Sequence, residues 1–339
     1  MSQNELNSSN RDYLFDNIRA FLIFLVVLGH MITEQMGEII LIDSIYYFIY
    51  FFHMPAFIFI SGYFSKDVHK SRENAFHSFF IPYLVVNTLF WFLNMFTLFE
   101  EQGPFRIFDP VWGLWFYLSV FIWKIVLKDL VKIKFILPIS IVVGILSGFS
   151  EEFSSKMSLA RILSFLPFFL LGFYCKREHI EKIRKIPRVI SGVIILGYGV
   201  ISYVIVRLEL FKKESFYMRK AFSRINQDSS VSLMARIFIY VSAIILTICL
   251  INLFSTKKKW YSIIGANSVT VYILHLLAVA NLRKLDLPWD GTIYYLIYAL
   301  VMSALITFVF SRQSVVDAYK KIMNGITNMA LKRENLKNK

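Results

Sequence analysis

Apolar residues run through this chain in long blocks separated by short polar connections. A helix that crosses a bilayer needs about 17 to 25 such residues, and about ten segments approach that length. They lie at residues 14–33, 39–64, 76–99, 111–127, 134–149, 161–175, 189–206, 233–254, 263–282 and 291–311. The pattern predicts an all-α, polytopic integral membrane protein, with residues 1–311 forming one transmembrane domain and 312–339 a basic cytoplasmic tail. Segments 134–149 and 161–175 are short and carry Pro138 and Pro167, which predicts tilted, broken or re-entrant elements beside a cavity.

The connections fix an orientation. "SKDVHKSREN", "KDLVKIK", "CKREHIEKIRKIPR", "STKKKW" and the C-terminal stretch are basic, whereas "TEQMGE", "EEQGPFR" and "SEEFSSK" are neutral or acidic. About 25 of the 37 Lys and Arg then fall on one side and about 11 on the other, so both termini are expected in the cytosol. The same asymmetry accounts for the net charge of +14 without a nucleic-acid partner. The exception is the basic connection 207–232, which falls outside. It reads as a loop too long to obey the charge rule, as an interfacial amphipathic stretch, or as a lid that meets an acidic glycan.

Composition agrees with this reading, since 57% of the residues are hydrophobic and 18% charged. Cys175 and Cys249 are expected as buried thiols rather than a disulfide framework. The polar start, "MSQNELNSSNRDY", has no basic region leading to a cleavage site, so the first segment is expected to stay as an anchor.

The chemistry begins in "FDNIRAFLIFLVVLGHM", Phe15 to Met31, where an apolar run holds Arg19 and His30. Ionisable groups are costly in hydrocarbon and mark function by default. Eleven residues of helix bring the two onto nearly the same face, roughly 16 Å apart along the axis. Asp16 and Glu34 fall near the same stripe. Taken alone, Arg19 could instead snorkel to headgroups and His30 could bond a neighbouring helix. His53 and His275 lie within further apolar segments, and three embedded imidazoles together suggest a polar interior site. Pro55 should free the Phe51 carbonyl toward such a cavity. A buried imidazole suits removal of a hydroxyl proton. Arg19 with Lys66, Lys70 and Arg72 could hold the phosphates of a cytosolic nucleotide-like donor. The cluster "VWGLWFYL", from Trp112 past Trp115, offers faces for carbohydrate rings or forms an interfacial aromatic belt.

In order along the chain, "FDNIRAFLIFLVVLGH", "FHMPAFIFISGYF", "LWFYL", "RILSFLPFFLLGFY" and "GANSVTVYILH" resemble the signatures of the acyltransferase-3 family, in particular its fucose 4-O-acetylase-like branch. The resemblance spans residues 11 to 275. It implies transfer of an acyl group, usually acetyl from cytosolic acetyl-CoA, to a carbohydrate hydroxyl at or beyond the outer face. It implies donor binding and catalysis by Arg19 and His30; the reading of the residues adds His53, His275 and Asp16 to the catalytic set, Lys66, Lys70 and Arg72 beside Arg19 at the donor, and Trp112, Trp115, Glu34 and Arg161 at the acceptor. No metal is expected. Envelope polysaccharide or its lipid-linked precursor, membrane lipid and polysaccharide biosynthesis proteins are the expected partners, in a bacterial cytoplasmic membrane. No segment resembles the hydrolase-like domain fused to some relatives, so this module or a separate partner is expected to complete transfer.

Two other readings compete. A transporter or flippase subunit would use Arg19, Asp16 and the histidines as a proton or substrate path, but no clear repeat accompanies them. A purely structural assembly factor leaves the embedded histidines unexplained.

Overall fold

The computed structural model describes residues 12–93, 107–155, 158–285, 287–288 and 291–330. Among them there is no β-strand, and the fold is all-helical. The helices that build the bundle and the site are α1 (Leu14–Ile32), α2 (Ile40–Tyr63), α3 (Val68–Ala75), α4 (Ile81–Leu93), α5 (Trp115–Leu130), α6 (Ile136–Leu146), α7 (Leu159–Tyr174), α8 (Arg177–Arg184), α9 (Arg188–Arg207), α10 (Ser229–Leu253), α11 (Ser262–Ala266), α12 (Ser268–Leu282), α13 (Ile293–Phe310) and α14 (Gln313–Ala330).

Six of the described helical stretches are long and apolar enough to cross a membrane, or seven if α7 and α8, bent by 92° at their junction, count as one span. The sequence expectation was about ten. The difference is one of length: α12 has 15 residues and rises ~22 Å, short of a ~30 Å hydrocarbon core. α6 stops after 11 residues, where Ser147–Phe149 tightens into a 3₁₀ turn. Arg236 of α10, 2% exposed, fastens that turn by donating to the Gly144 carbonyl and the Ser147 hydroxyl, each at 3.2 Å. The expected basic tail is a helix, α14, as far as residue 330.

Polarity is distributed as lipid demands. On α9, Val189, Val193, Leu196 and Val200 form an exposed apolar stripe at helical spacing, while Ser191, Ser202 and Tyr198 turn inward. α1 is the reverse case, buried along most of its length and wrapped by α2, α11, α12 and α13. Close approach at the bundle centre depends on missing side chains. A Cβ on Gly62 would overlap the Phe169 carbonyl, and one on Gly172 would overlap the Phe59 carbonyl, so α2 and α7 meet backbone to backbone. Ahead of Pro82 the helix widens into a π turn at Phe76–Phe80, where the proline cannot donate to the preceding turn. Cys175 and Cys249 are buried free thiols.

The orientation expected from the charge pattern makes the end holding Asp16, Ser255 and Asn267 the inner one and the end holding His30, Trp112 and Arg283 the outer one.

Candidate functional site

The first helix enters the bundle through "DNIR". Asn17, fully buried, donates to the carbonyls of Ser255 at 2.7 Å and Lys257 at 3.0 Å and accepts from the Ser262 hydroxyl at 2.6 Å. This pins the start of α1 to the inner connection before α11. Asp16 accepts from Arg19 at 3.3 Å, and the Arg19 guanidinium lies 4.8 Å over the Phe64 ring. Arg19 thereby opens into an inner cavity of about 490 Å³ that Arg177 and Arg184 also line.

The expected donor cations are only partly gathered here. Lys66 donates to the carbonyls of Phe173 at 2.9 Å and Cys175 at 2.5 Å, capping the end of α7, and its partial burial lowers its pKa. Lys70 and Arg72 are exposed on α3, with Arg72 near Asp129 at 3.9 Å, and neither lines the Arg19 cavity. Arg177 and Arg184 line it instead, Arg177 paired with Glu181 at 3.1 Å and Arg184 donating to the carbonyls of Ile251 at 3.2 Å and Phe254 at 2.7 Å. They stand in the inner connection "CKREHIEKIRKIPR", whose basic character was visible but whose fold-back was not.

A narrower cavity of about 200 Å³ continues from Arg19 and Phe64 past Ser61, Lys124 and Tyr117 to Tyr272. Lys124 is held by the hydroxyls of Ser65 at 2.8 Å and Ser71 at 3.0 Å. Tyr272 also lines a third, outer cavity of about 480 Å³, at whose floor lies His30. Three spaces thus adjoin through shared walls, the middle one lined largely by apolar side chains such as Phe57, Phe79 and Phe116. Tyr272 donates to the Gly113 carbonyl at 2.6 Å. A side chain at Gly113 would sit 3.8 Å from His30 Nε2, so bare backbone keeps that nitrogen approachable.

The other histidines flank His30. His275 is fully buried with its ring centroid 5.3 Å from that of His30, and its Nδ1 faces the Val271 carbonyl at 3.1 Å. His53 lines the outer cavity, its Nδ1 2.8 Å from the Ile49 carbonyl. Pro55 lines the same space.

Aromatic and cationic walls complete the outer cavity. Trp115 stacks on Phe165 at 4.9 Å and carries the Arg161 guanidinium 4.9 Å over its ring. Trp112 has a left-handed backbone, φ 46°, which a bulky residue rarely adopts without a compensating role. Its ring lies 5.1 Å beneath Arg283. Glu34, expected at the acceptor, is not among the residues lining this cavity; it pairs with Arg283 at 3.4 Å, and Arg283 in turn donates to the His30 backbone carbonyl. The basic outer connection folds over this mouth. Tyr217 shares a hydrogen bond with Tyr46 at 2.8 Å and is pushed up to about 12 by burial, and Arg219 lies beside it on the cavity wall.

Arg283, Arg219 and Tyr217 were missed in the sequence. Two were marked indirectly, since Arg219 and Arg283 are outer cations in a chain that sends most of its cations inward. Among the described residues no cluster of three or more His, Cys, Asp or Glu is placed to hold a metal.

Together these features define a multi-pass membrane protein whose first helix joins an inner cavity, lined by three arginines and three carboxylates, to an outer histidine. Residues 12–312 match the acyltransferase domain model of the acyltransferase-3 family, and the chain belongs to that family of membrane acyltransferases. Nodulation protein NolL of Mesorhizobium japonicum is 28% identical over 182 residues, covering 49% of this chain and 48% of the relative. The chain thus spans about half the length of the curated relative it matches. No solved structure matches it.

Proposed function

We propose that the protein transfers acetyl from cytosolic acetyl-CoA to a hydroxyl of an envelope or extracellular polysaccharide, or of its lipid-linked precursor, in a bacterial cytoplasmic membrane. The observation that carries this reading is the row of three adjoining cavities, with Arg19 on the wall of the first two and Tyr272 on the wall of the last two. The charged head of a donor fits the inner space beside Arg19, Arg177 and Arg184, where guanidiniums favour phosphate. The roughly 16 Å from Arg19 to His30 suits an extended pantetheine-like arm.

In the outer cavity, His30 accepts the proton of the sugar hydroxyl as its oxygen attacks the thioester carbonyl. The new C–O bond replaces the C–S bond, and His30 returns the proton to the departing thiolate. Trp112 and Trp115 offer surfaces for the sugar ring. A base in contact with the reacting hydroxyl accounts for an ionisable group in the membrane better than packing does.

The test uses the full chain in liposomes with acetyl-CoA and envelope glycan. Acceptor-dependent thiol release that disappears in His30→Ala, with the variant still folded and inserted, supports the reading. Glycan counterflow without thiol release would instead support a transporter, which the adjoining cavities also suit.

A further inference from the structure

The outer cavity holds more positive charge than proton transfer requires. Arg161 comes from the start of α7, Arg219 from the connection between α9 and α10, and Arg283 from the end of α12, yet all three line the space above His30. Outer cations run against the charge rule of this chain. Their convergence at one cavity from three distant parts of the sequence calls for a cause.

Charge partners separate the three. Arg283 has Glu34 at 3.4 Å. Asp109 is the one carboxylate among the described residues lining the cavity. Arg161 and Arg219 make no ion pair among the described residues. Arg161 is oriented by neutral groups, the Tyr217 carbonyl at 3.1 Å and the face of Trp115, which aim the guanidinium without cancelling its charge. Its neighbour Arg219 is close enough for mutual repulsion. Other cations of the same connection differ: Lys212 pairs with Glu209 at 3.2 Å, Lys220 with Glu214 at 3.7 Å and Arg224 with Glu151 at 3.0 Å. Three cations of this segment are thus matched and Lys213 lies in the field of Asp43, whereas Arg219 on the cavity wall makes no ion pair among the described residues.

Two guanidiniums held near each other in a partly desolvated space are stabilised by a shared anion. Resting on the acyl-transfer reading, we infer that the acceptor carries an oxyanion, a carboxylate or phosphate on a sugar, bound between Arg161 and Arg219 while the accepting hydroxyl reaches His30. Trp115 lies under Arg161 and lines the same cavity, so a ring stacked on it would bring its acidic substituent to the guanidinium.

The test places the full chain in phosphatidylcholine nanodiscs and follows tryptophan emission, because Trp112 and Trp115 lie under the arginines. Methyl glucuronide and methyl glucose 6-phosphate are titrated against methyl glucoside. The acidic ligands are expected to bind about tenfold tighter, the range of one or two charge-assisted hydrogen bonds. Arg219→Gln, an exposed position, should erase that preference, and Lys212→Gln, whose partner lies outside the cavity, should keep it. Equal affinity for acidic and neutral sugars, no binding of any of them, or a preference that survives Arg161→Gln with Arg219→Gln overturns the inference. So does occupation by phosphatidylglycerol in place of the sugars, which would make the site a headgroup anchor. Thiol-release assays separate the two readings. Anion preference without transfer to any acceptor sinks acyl transfer alone, and transfer to neutral and acidic acceptors with equal KM sinks the oxyanion alone.

Discussion

His275 lies against His30 with ring centroids 5.3 Å apart and with its Nδ1 committed to the Val271 carbonyl at 3.1 Å. Nδ1–H donates to that carbonyl, which leaves His275 Nε2 as an acceptor, buried and without a hydrogen-bond partner among the described residues. On the proposed reaction, His275 is expected to position His30 by packing against its ring. His275→Leu should lower kcat by about ten- to a hundredfold with little change in either KM, and should add nothing to the loss in His30→Ala. An additive double-variant loss would show an independent role.

Arg19 and the inner cavity should govern the donor alone. Arg19→Gln is expected to raise the KM for the acyl donor about tenfold or more, the value of a hydrogen bond to a charged group, and to leave the acceptor KM unchanged. Arg177→Gln should move in the same direction. Lys70→Gln should change neither, because Lys70 is exposed on α3 away from Arg19. Steady-state kinetics with each substrate varied in turn checks all three.

The parts of the site written in one helix were legible. Helical spacing alone put Arg19 and His30 on a common face, and the apolar context of His53 and His275 marked them as interior groups. What depends on distant segments meeting was not. Arg177 and Arg184 reach the inner cavity because the chain bends by 92° after α7, and no local pattern announces which face of α8 turns inward. Lys66 looked available for a phosphate but serves the carbonyls that end α7. Six or seven described helices, against about ten expected, have the length of a span, because apolar composition does not record where a helix stops. The 3₁₀ turn at Ser147–Phe149 ends α6 inside an apolar stretch.

The contact between α2 and α7 should be intolerant of a single methyl group. Gly62 and Gly172 each face a carbonyl of the opposite helix, so Gly172→Ala must push the backbones apart and should cost about 1–3 kcal/mol, as overpacking does. Gly192→Ala on α9 adds its methyl in open space and should be neutral. Thermal unfolding in detergent compares them, and equal midpoints would refute the close packing.

The outer connection is latched by an exposed carboxylate, which gives its closure a pH limit. Glu151 accepts from the Ser223 hydroxyl at 2.6 Å and from Arg224 at 3.1 and 3.0 Å, and these bonds, the hydroxyl first, hold its pKa below the usual range. A depressed folded pKa means that the latch is fully present above the unfolded carboxylate value, about pH 4, and is lost as pH falls through the lower folded value. Closure of residues 211–228 should thus be independent of pH near neutrality and loosen only in acid. Glu151→Gln should mimic the acid state at pH 7, seen as faster amide hydrogen exchange in that segment with α1 still protected. Exchange that speeds up between pH 8 and 6 in the unmodified protein would assign the latch to another group.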